Sequence, residues 1–456
     1  MYSLPTDDFR QYINGELVSG RGRTTQIRCP GNGEPVAQIA LATKEQAQQA
    51  LEAARDAFPG WSALTLEERG AWMMKLRDAI QRESENLLNL LMLESGKLRS
   101  HAAFETGSLT GYLSFFLEQA KSEHTQGIRD AAGGKNMFLA VREPVGVVVA
   151  ALAWNFPMHN LATKLGPILA SGCTAVIKPA TKTPLSTLYF GEILHRIGFP
   201  KGVINFVAGD AREIGTTLCE SPIPAMITMI GSTAGGLRMV RDSTTSVKRF
   251  SMELGGNAPV IVAPSADLAA AAGHVIGNKM RCAGQTCVAP QRAFVHRSVY
   301  QEFLELCTKI ASDAQCGTLD EQANTGPLID EASVVRMESL VADAVEKGAK
   351  IVCGGARPAD KKVGCYFLPT ILTDVTPDMR VFREEVFGPL LALLPYDTEE
   401  DARELIALAK PLCCHINLIP VNPIKERDYV QSDTKHIQAF KNKLESKMIH
   451  VTIRRE

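Results

Sequence analysis

Apolar residues recur every three or four positions between Thr43 and Ser95. This spacing places them on one face of a helix, so it predicts two or three amphipathic helices. The stretch that follows, Ser122–Asn136, is polar and contains glycines, and it predicts a loop or an exposed hairpin. The first part of the chain is therefore predicted to be largely helical, with an interruption near residue 122.

Short β-branched runs then alternate with longer segments of helical spacing. Strands are predicted at Val145–Ala151, Ala175–Lys178, Val203–Val207, Met226–Ile230, Phe250–Leu254, Pro259–Val262, Ala293–His296 and Lys350–Cys353. Helices are predicted at Leu161–Ala170, Leu185–Ile197, Ala211–Cys219, Ala234–Asp242, Ala269–Met280, Val299–Ser312 and Ala332–Lys347. Such alternation is typical of βαβ units, so we expect an α/β protein with two parallel-sheet lobes.

The charges of the 456-residue chain nearly cancel, with 49 Lys and Arg against 50 Asp and Glu. Proteins that bind nucleic acid through its phosphates usually carry a basic excess, so we expect no nucleic-acid partner. The longest apolar stretches are Val145–Trp154 and Pro167–Ile177. Both fall short of the roughly 18–20 strongly apolar residues that a membrane span needs, so we expect no membrane association.

The eleven cysteines do not form a disulfide framework. Because the first residues also lack an apolar signal segment, we expect a cytoplasmic protein with reduced thiols. Neither a Cys-x-x-Cys pair nor a His-Glu-x-x-His motif occurs, and we therefore expect no metal site.

Four short segments concentrate the residues that could carry chemistry. They are Trp154–Pro157, Lys178–Ala180, Met252–Gly256 and Gly284–Cys287. Asn155 follows a predicted strand, so it either meets a ligand at the strand end or caps the next helix. Cys287 is either a nucleophile or a small buried apolar residue, and Glu253 is either a base or a surface carboxylate. The residues alone leave these alternatives open.

Together with the turn Gly231–Thr233 and the segment Glu384–Pro389, these four segments resemble the aldehyde dehydrogenase superfamily in their order along the chain. The resemblance covers roughly residues 10–409, and the separation of Glu253 and Cys287 also matches the family. It implies a Rossmann-like dinucleotide-binding domain at 1–121 and 142–252. It also implies a hairpin segment for oligomerisation at 122–141 and a catalytic domain at 253–410.

The resemblance implies oxidation of a small aldehyde to its carboxylic acid. Cys287 would attack the carbonyl carbon, and the side chain of Asn155 with a backbone N–H at Cys287 would hold the oxyanion. Hydride transfer to NAD or NADP would leave a thioester, which water activated by Glu253 would hydrolyse. CoA-acylating relatives tend to lack this glutamate, so its presence favours hydrolysis over acyl-CoA formation.

No Gly-x-Gly-x-x-Gly motif follows the first strand of the parallel sheet. By resemblance the dinucleotide would instead contact Lys178 at the adenosine ribose and Glu385 at the nicotinamide ribose. The remaining residues implied for this site are Trp154, Gly231, Ser232, Leu254 and Phe387. The small residues Gly231 and Ser232 would let a helix N-terminus approach the pyrophosphate.

One departure from the family concerns the choice between NAD and NADP. NAD-specific members carry a glutamate where this chain has Thr181, and Lys182 follows it. The missing carboxylate would not repel a 2′-phosphate, and the added cation would attract one. We therefore expect NADP to serve at least as well as NAD.

The substrate is less constrained. Arg281 matches an arginine with which succinate-semialdehyde dehydrogenases bind the substrate carboxylate, but a surface ion pair is an equal alternative. The second arginine of that subfamily corresponds to Thr163. Lactaldehyde, glycolaldehyde and succinic semialdehyde are the candidate substrates. Cys282 is either a plain buried thiol or a partner of Cys287 in a protective disulfide.

The resemblance stops near Lys410, and none of the 36 glycines lies beyond Gly388. We therefore expect an incomplete catalytic domain followed by an atypical tail at 411–456. A shifted reading frame on a truncated gene and a genuine replacement domain are the two explanations. The alternative function is accordingly a dinucleotide-binding remnant or interaction protein without turnover. A homo-oligomer is expected by resemblance, with part of its usual interface missing.

Overall fold

Strands and helices alternate along most of the chain in the computed structural model, which describes residues 4–123, 129–130, 137–138, 141–319, 322–397, 415–418 and 450–453. The strands are β1 (Gln11–Ile13), β2 (Glu16–Val18), β3 (Thr24–Arg28), β4 (Pro35–Ala40), β5 (Arg129–Asp130), β6 (Met137–Phe138), β7 (Val147–Ala151), β8 (Thr174–Lys178), β9 (Ile204–Phe206), β10 (Pro224–Ile230), β11 (Arg249–Glu253), β12 (Pro259–Val262), β13 (Arg292–His296), β14 (Lys350–Cys353), β15 (Thr370–Thr373), β16 (Leu390–Tyr396), β17 (His415–Leu418) and β18 (His450–Ile453). The helices are α1 (Lys44–Ala63), α2 (Leu66–Arg82), α3 (Ser84–Ser95), α4 (Arg99–Glu123), α5 (Pro157–Ala170), α6 (Leu185–Arg196), α7 (Glu213–Glu220), α8 (Thr233–Asp242), α9 (Leu268–Met280), α10 (Arg297–Ser312), α11 (Glu331–Glu346) and α12 (Arg380–Arg383).

The first sheet has seven strands in the order β11-β10-β7-β8-β9-β1-β2. The strands from β11 to β9 run parallel, whereas β1 pairs antiparallel with both β9 and β2. Strands β7 and β8 are almost wholly buried, because helices cover both faces of the sheet. Buried parallel strands with this apolar composition are typical of α/β proteins.

The second sheet has five strands in the order β12-β13-β16-β15-β14. Only β14 runs antiparallel, and it pairs with β15. One apolar cluster, which includes Phe303 and Cys307 from α10, lies on one face, and a second, which includes Val334 and Leu340 from α11, lies on the other. Two parallel-sheet lobes are therefore present, as the alternation of strands and helices predicts.

The helices predicted within Thr43–Ser95 are α1, α2 and α3, and α1 and α2 each begin with a capping box, at Thr43 and Thr65. The pattern did not predict α4, which packs against α2, α3 and α5 and so has apolar residues on several sides. The predicted loop or hairpin starts later than expected because α4 continues to Glu123. Beyond it β5 and β6 pair antiparallel as a short hairpin.

The predicted tail at 411–456 lies outside the described residues except for β17 and β18, which pair in parallel. The predicted boundaries between the dinucleotide-binding, hairpin and catalytic segments stay predictions. Within the described part of the chain, no helix combines the length and the apolar character that crossing a membrane requires.

Candidate active site

The carboxyl ends of β7, β8, β10 and β11 meet at one edge of the first sheet. In the register of the sheet Ala151 pairs with Lys178 and with Met229, and Ile230 pairs with Glu253. The segments that follow these strands therefore emerge side by side. Ligands of open α/β sheets bind at such an edge.

Asn155 lies in the segment after β7 and contacts the second lobe. Its Nδ2 donates to the carbonyl oxygen of Gln285 at 2.9 Å, and its Oδ1 accepts from Nδ2 of Asn160 at 3.3 Å. The residue is only 7% exposed. An amide nitrogen carries two donor hydrogens, so one N–H remains for a bound group. Asn155 is thus fixed beside the loop that carries Cys287.

The backbone before Cys287 is held in an uncommon conformation. Cys282, Ala283 and Gly284 have φ values of 51°, 50° and 70°, in the left-handed region that residues other than glycine seldom adopt. The side chain of Gln285 supports this turn, because its Nε2 donates to the carbonyl oxygens of Cys282 at 2.9 Å and Pro327 at 3.2 Å. Its Oε1 accepts from the backbone N–H of Ile329 at 2.9 Å. Such conformations persist only when the surroundings enforce them, and here a buried glutamine does so.

Cys287 is exposed to solvent, whereas Cys282 is buried. Protein atoms still surround much of the Cys287 thiol, and this partial burial raises its pKa above the ordinary value. The carboxylates of Glu385 and Glu253 raise the pKa further, while the backbone N–H at Cys287 and the side chain of Thr286 oppose them. At neutral pH the group is therefore a thiol with two carboxylates nearby, and attack on a carbonyl requires that its proton be removed.

Glu385 lies in the segment after α12 and reaches the glycines that follow Glu253. Its Oε1 accepts from the backbone N–H of Gly256 at 3.1 Å. A Cβ atom at Gly255 would lie 2.3 Å from Oε2 of Glu385, so a larger residue there would displace the carboxylate. Burial raises the pKa of Glu385, and the hydrogen bond from Gly256 opposes that shift.

Gln291 joins the same two segments. Its Nε2 donates to the carbonyl oxygen of Gly256 at 2.8 Å, and its Oε1 accepts from the backbone N–H of Val386 at 2.7 Å. Gln291 itself is buried at the start of the second sheet's central strands. The segments that contain Glu253 and Glu385 are therefore fixed relative to each other by one side chain.

Lys178 ends β8 as a buried cation. Burial lowers its pKa to about 8, and the nearby carboxylate of Asp210 opposes this shift. Thr181 follows in the same loop, and its Oγ1 donates to the carbonyl oxygen of Gly209 at 3.1 Å. The loops after β8 and β9 thus lie together at the sheet edge.

Lys182 has a partner that the sequence did not reveal. Its Nζ lies 2.5 Å from Oδ2 of Asp330 and 5.6 Å from the centre of the Trp154 ring. The Trp154 ring in turn meets Phe387 edge-on, with 5.5 Å between the ring centres. The cation is consequently neutralised in part, and the two aromatic rings form a wall on the side of the second lobe.

Helix α8 begins at the same edge. Ser232 caps it by accepting from the backbone N–H of Gly235 at 3.1 Å. A Cβ atom at Gly231 would lie 2.4 Å from Cε of Met229, and one at Gly236 would lie 2.5 Å from Cδ2 of Leu254. The side chains of Met229 and Leu254 therefore lie against glycines, which leave room for them. The first N–H groups of a helix have no partner within it and can bind an anion. Together with Lys178 and Glu385, these residues fit the predicted dinucleotide.

Arg281 lies at the end of α9, on the other side of Asn155. Its guanidinium lies 4.0 Å from the centre of the Phe104 ring and 5.6 Å from that of Phe156. Within the described part of the chain no carboxylate pairs with it, so the expected alternative of a surface ion pair is not found. Burial, Lys97 and Arg281 together lower the pKa of His101 to about 4. Arg281 is therefore a cation without a carboxylate partner among the described residues, whereas the neighbouring Lys97 is paired with Glu105.

Comparison with known proteins identifies the family. A sequence model described as "Aldehyde dehydrogenase family" matches residues 17–409. The chain belongs to the aldehyde dehydrogenase family. It is 37% identical to the NADP-dependent succinate-semialdehyde dehydrogenase GabD of Escherichia coli K12, over 86% of this chain and 82% of that one. It is also 37% identical to the glutarate-semialdehyde dehydrogenase of Pseudomonas aeruginosa, over 88% of this chain and 83% of that one.

A solved structure of an NADP-dependent enzyme from Escherichia coli superimposes with a TM-score of 0.89 at 32% identity, covering 99% of this chain and 91% of that one. The predicted α/β fold and the predicted class, an NAD(P)-dependent aldehyde dehydrogenase, are thereby confirmed. The roles of individual residues in this aldehyde dehydrogenase stay predictions, although the structure brings them together.

The sequence analysis missed Lys97 and Glu105, which form a buried ion pair next to Asn155. The sequence does contain a signal for Glu105, because Glu105, Leu109 and Leu113 recur at every fourth position and so share one face of a helix. In the structure all three are completely buried. A charge on the apolar face of a helix needs a partner, and this one contacts the active site of the dehydrogenase. No comparable signal marks Lys97 or the two glutamines, Gln285 and Gln291.

Proposed function

We propose that this chain oxidises a small carboxylated aldehyde to the dicarboxylic acid with NAD(P), through a thiohemiacetal and a thioester on Cys287. The observation that supports this most directly is the arrangement around Cys287. The exposed thiol lies beside two carboxylates, and the Asn155 amide is anchored to the same loop. This arrangement combines a nucleophile, a base and an oxyanion donor.

In the first step Sγ of Cys287 bonds to the aldehyde carbon. Glu253, exposed at the end of β11, accepts the thiol proton directly or through water. The free N–H of Asn155 and the backbone N–H of Cys287 donate to the oxyanion, and removing one such donor typically lowers the rate about 10²–10³-fold. NAD(P)⁺, when bound, accepts the hydride as the carbonyl bond re-forms.

In the second step the thioester is hydrolysed. Glu253 first releases to solvent the proton that it took from Cys287. It then takes a proton from a water molecule, whose oxygen bonds to the acyl carbon, and the carbon–sulfur bond breaks. The thiolate of Cys287 leaves and is reprotonated, so the chain returns to its starting state. Because this route needs only water, the product is the free acid rather than an acyl-CoA.

For the cofactor, the proposal keeps NADP as slightly favoured over NAD. Position 181 carries a threonine and not a carboxylate, and the relative GabD is named as NADP-dependent. Lys182 supports NADP less than the sequence suggested, since it is paired with Asp330. A 2′-phosphate would have to compete with Asp330 for this cation.

For the substrate, the proposal relies on Arg281. Two relatives are named for aldehydes that carry a carboxylate, succinate semialdehyde and glutarate semialdehyde. Arg281 stacks on Phe104 and has no carboxylate partner among the described residues, so it can bind the distal carboxylate of such a substrate.

The proposal also includes a cytoplasmic location and a homo-oligomer. The nine described cysteines carry free thiols, which suits a reducing compartment. The sheet edges β11 and β12 expose Phe250 (41%) and Ile261 (43%), and an exposed apolar edge is a surface that a second copy can cover. Size-exclusion chromatography of the purified chain tests the oligomer.

The function is tested by an aldehyde panel with each cofactor, followed as NAD(P)H absorbance. Succinic semialdehyde, lactaldehyde, glycolaldehyde and propanal form the panel, with the Cys287→Ala variant as the control for non-enzymatic reduction. We expect turnover that is fastest with succinic semialdehyde. A chain that quenches NADPH fluorescence but turns over none of these aldehydes would contradict the proposal and fit a dinucleotide-binding remnant.

A further inference from the structure

Lys97 and Glu105 form an ion pair that is shielded from solvent, with side chains 1% and 0% exposed. Lys97 lies between α3 and α4, and Glu105 lies in α4. Burying two charges costs several kcal/mol of desolvation per ion, so such a pair is weak evidence for stability by itself. Its remaining hydrogen bonds therefore show what the pair holds in place.

The cation contacts the backbone of the proposed oxyanion residue. Nζ of Lys97 donates to the carbonyl oxygen of Asn155 at 2.9 Å and lies 4.8 Å from the centre of the Phe156 ring. The same carbonyl also accepts from Sγ of Cys282 at 3.6 Å. Asn155 is thereby fixed at its main chain as well as at its amide.

The anion caps the helix that begins immediately after Asn155. Oε2 of Glu105 accepts from the backbone N–H groups of Met158 at 3.0 Å and His159 at 3.3 Å. The N-cap residue of α5, Phe156, has no side chain that could do this, and Pro157 supplies no N–H. The pair thus hydrogen-bonds the main chain at Asn155 itself and at Met158 and His159, which follow it.

We propose that Lys97 and Glu105 are positioning residues for the oxyanion site: they fix the backbone at Asn155 so that its free N–H points to the oxygen of the substrate. This inference rests on the proposed function, because it assumes that Asn155 donates to the oxyanion. Misplacing a catalytic group by about 1 Å can lower a rate about 10²-fold, so fixing the backbone has a direct kinetic consequence.

Another buried glutamate provides a matched control. Glu94 caps α6 in the same way, accepting from the N–H groups of Leu185 at 2.6 Å and Ser186 at 3.2 Å. It is as completely buried as Glu105, but it makes no contact with Asn155 among those described. Glu94→Gln therefore reports what neutralising a buried, helix-capping glutamate does where none of the described hydrogen bonds joins that glutamate to Lys97 or Asn155.

The test is a double-mutant cycle between the pair and Asn155. The variant Lys97→Met/Glu105→Gln removes both charges and leaves an oxygen that can still cap α5, so much of the fold's stability should survive. It is made in the unchanged chain and in Asn155→Ala, and the kcat and KM for propanal with NADP⁺ are measured. NADPH affinity by fluorescence and the melting temperature are recorded for every variant.

If the pair acts through Asn155, the double substitution lowers kcat on the order of tenfold to a hundredfold in the unchanged chain but less than about threefold in Asn155→Ala. NADPH affinity stays within about twofold, and Glu94→Gln leaves kcat within about threefold. If the double variant does not melt cooperatively, Glu105→Asp enters the same cycle, because it keeps the charges and only shortens the reach to α5.

The inference would be overturned if the double substitution lowered kcat by the same factor in the unchanged chain and in Asn155→Ala. It would also be overturned if kcat of the unchanged chain did not fall. A Glu94→Gln variant that behaves like the pair would do the same, since neutralising any buried glutamate that caps a helix would then have this effect. Absence of aldehyde turnover in the unchanged chain would overturn the proposed function, and the inference with it. If the unchanged chain turns over aldehydes but the pair and Asn155 lower kcat independently of each other, only the inference is overturned and the proposed function stands.

Discussion

The candidate active site combines a strand-end region and a loop region, which hold their side chains in different ways. The strand-end region comprises Trp154–Asn155, Lys178–Lys182, Gly231–Ser232 and Glu253–Leu254. There the parallel register of β7, β8, β10 and β11 brings the side chains to one edge. The loop region comprises Arg281–Cys287 and Glu384–Phe387, and there Gln285 and Gln291 hold an irregular backbone through their amides.

This difference has a physical consequence. In the strand-end region the positions depend on a sheet whose buried strands contribute residues to two apolar clusters, one on each face. In the loop region Cys282, Ala283 and Phe387 have positive φ values, and single side chains compensate for that strain. We therefore expect substitutions in the loop region to reduce activity more than stability.

The largest expected effect is that of Cys287→Ala in the loop region. Without the nucleophile no thioester can form, so we expect aldehyde oxidation to fall by more than about 10⁴-fold, while NADPH affinity changes little. Rates are measured with succinic semialdehyde and NADP⁺. The matched control is Cys353→Ala, a half-buried thiol in β14, which should leave the rate within about twofold. Residual turnover above one per cent in Cys287→Ala would assign the nucleophile elsewhere.

The second prediction tests the difference between the two regions directly. Gln285→Met keeps the volume but leaves the carbonyl of Pro327 and the N–H of Ile329 without this partner, and it removes one of the two donors to the carbonyl of Cys282. Unsatisfied buried groups cost about 1–3 kcal/mol of unfolding free energy, and the released loop should lower kcat about 10²-fold. Denaturant unfolding and initial rates measure the two effects.

A matched control exists in the first lobe, outside the loop region. Gln46 is equally buried and makes the same number of backbone hydrogen bonds, to Arg21, Thr43 and Ser19. We expect Gln46→Met to lower stability by a similar amount but kcat by less than about threefold. Equal losses of kcat in both variants would mean that the loop region is no more sensitive than the scaffold.

The same contrast explains what could be predicted from the sequence. Asn155 and Lys178 follow apolar strand runs, so their place at the sheet edge follows from the pattern. Cys287, Glu385 and Arg281 have no such periodic context, and only the family resemblance indicated them. The sequence analysis expected Lys182 to favour NADP but did not predict its ion pair with Asp330, because residues so distant in sequence leave no local signal. Helix α4 was missed since its apolar residues face several neighbours.

The third prediction concerns Arg281, at the start of the loop region. Arg281→Ala should raise KM for succinic semialdehyde about 10–100-fold and leave KM for propanal within about twofold, because a charged bidentate contact contributes about 1.5–3 kcal/mol. The control is Arg357→Ala, a surface arginine that pairs with Glu331 and Glu338. A similar rise in KM for both aldehydes would show that Arg281 shapes the site rather than binding the carboxylate.

The smallest expected effect lies in the strand-end region, at Lys178. Burial lowers its pKa to about 8, so the amine loses its charge as the pH rises through that value. The phosphates of NADPH are already ionised above pH 7, and we therefore expect the dissociation constant to increase severalfold between about pH 7 and pH 9.5. Fluorescence titration measures it. Lys178→Arg keeps its charge over this range and should flatten the profile. If the slope is the same in both proteins, another group titrates, and the cation at the end of β8 does not contribute to cofactor affinity.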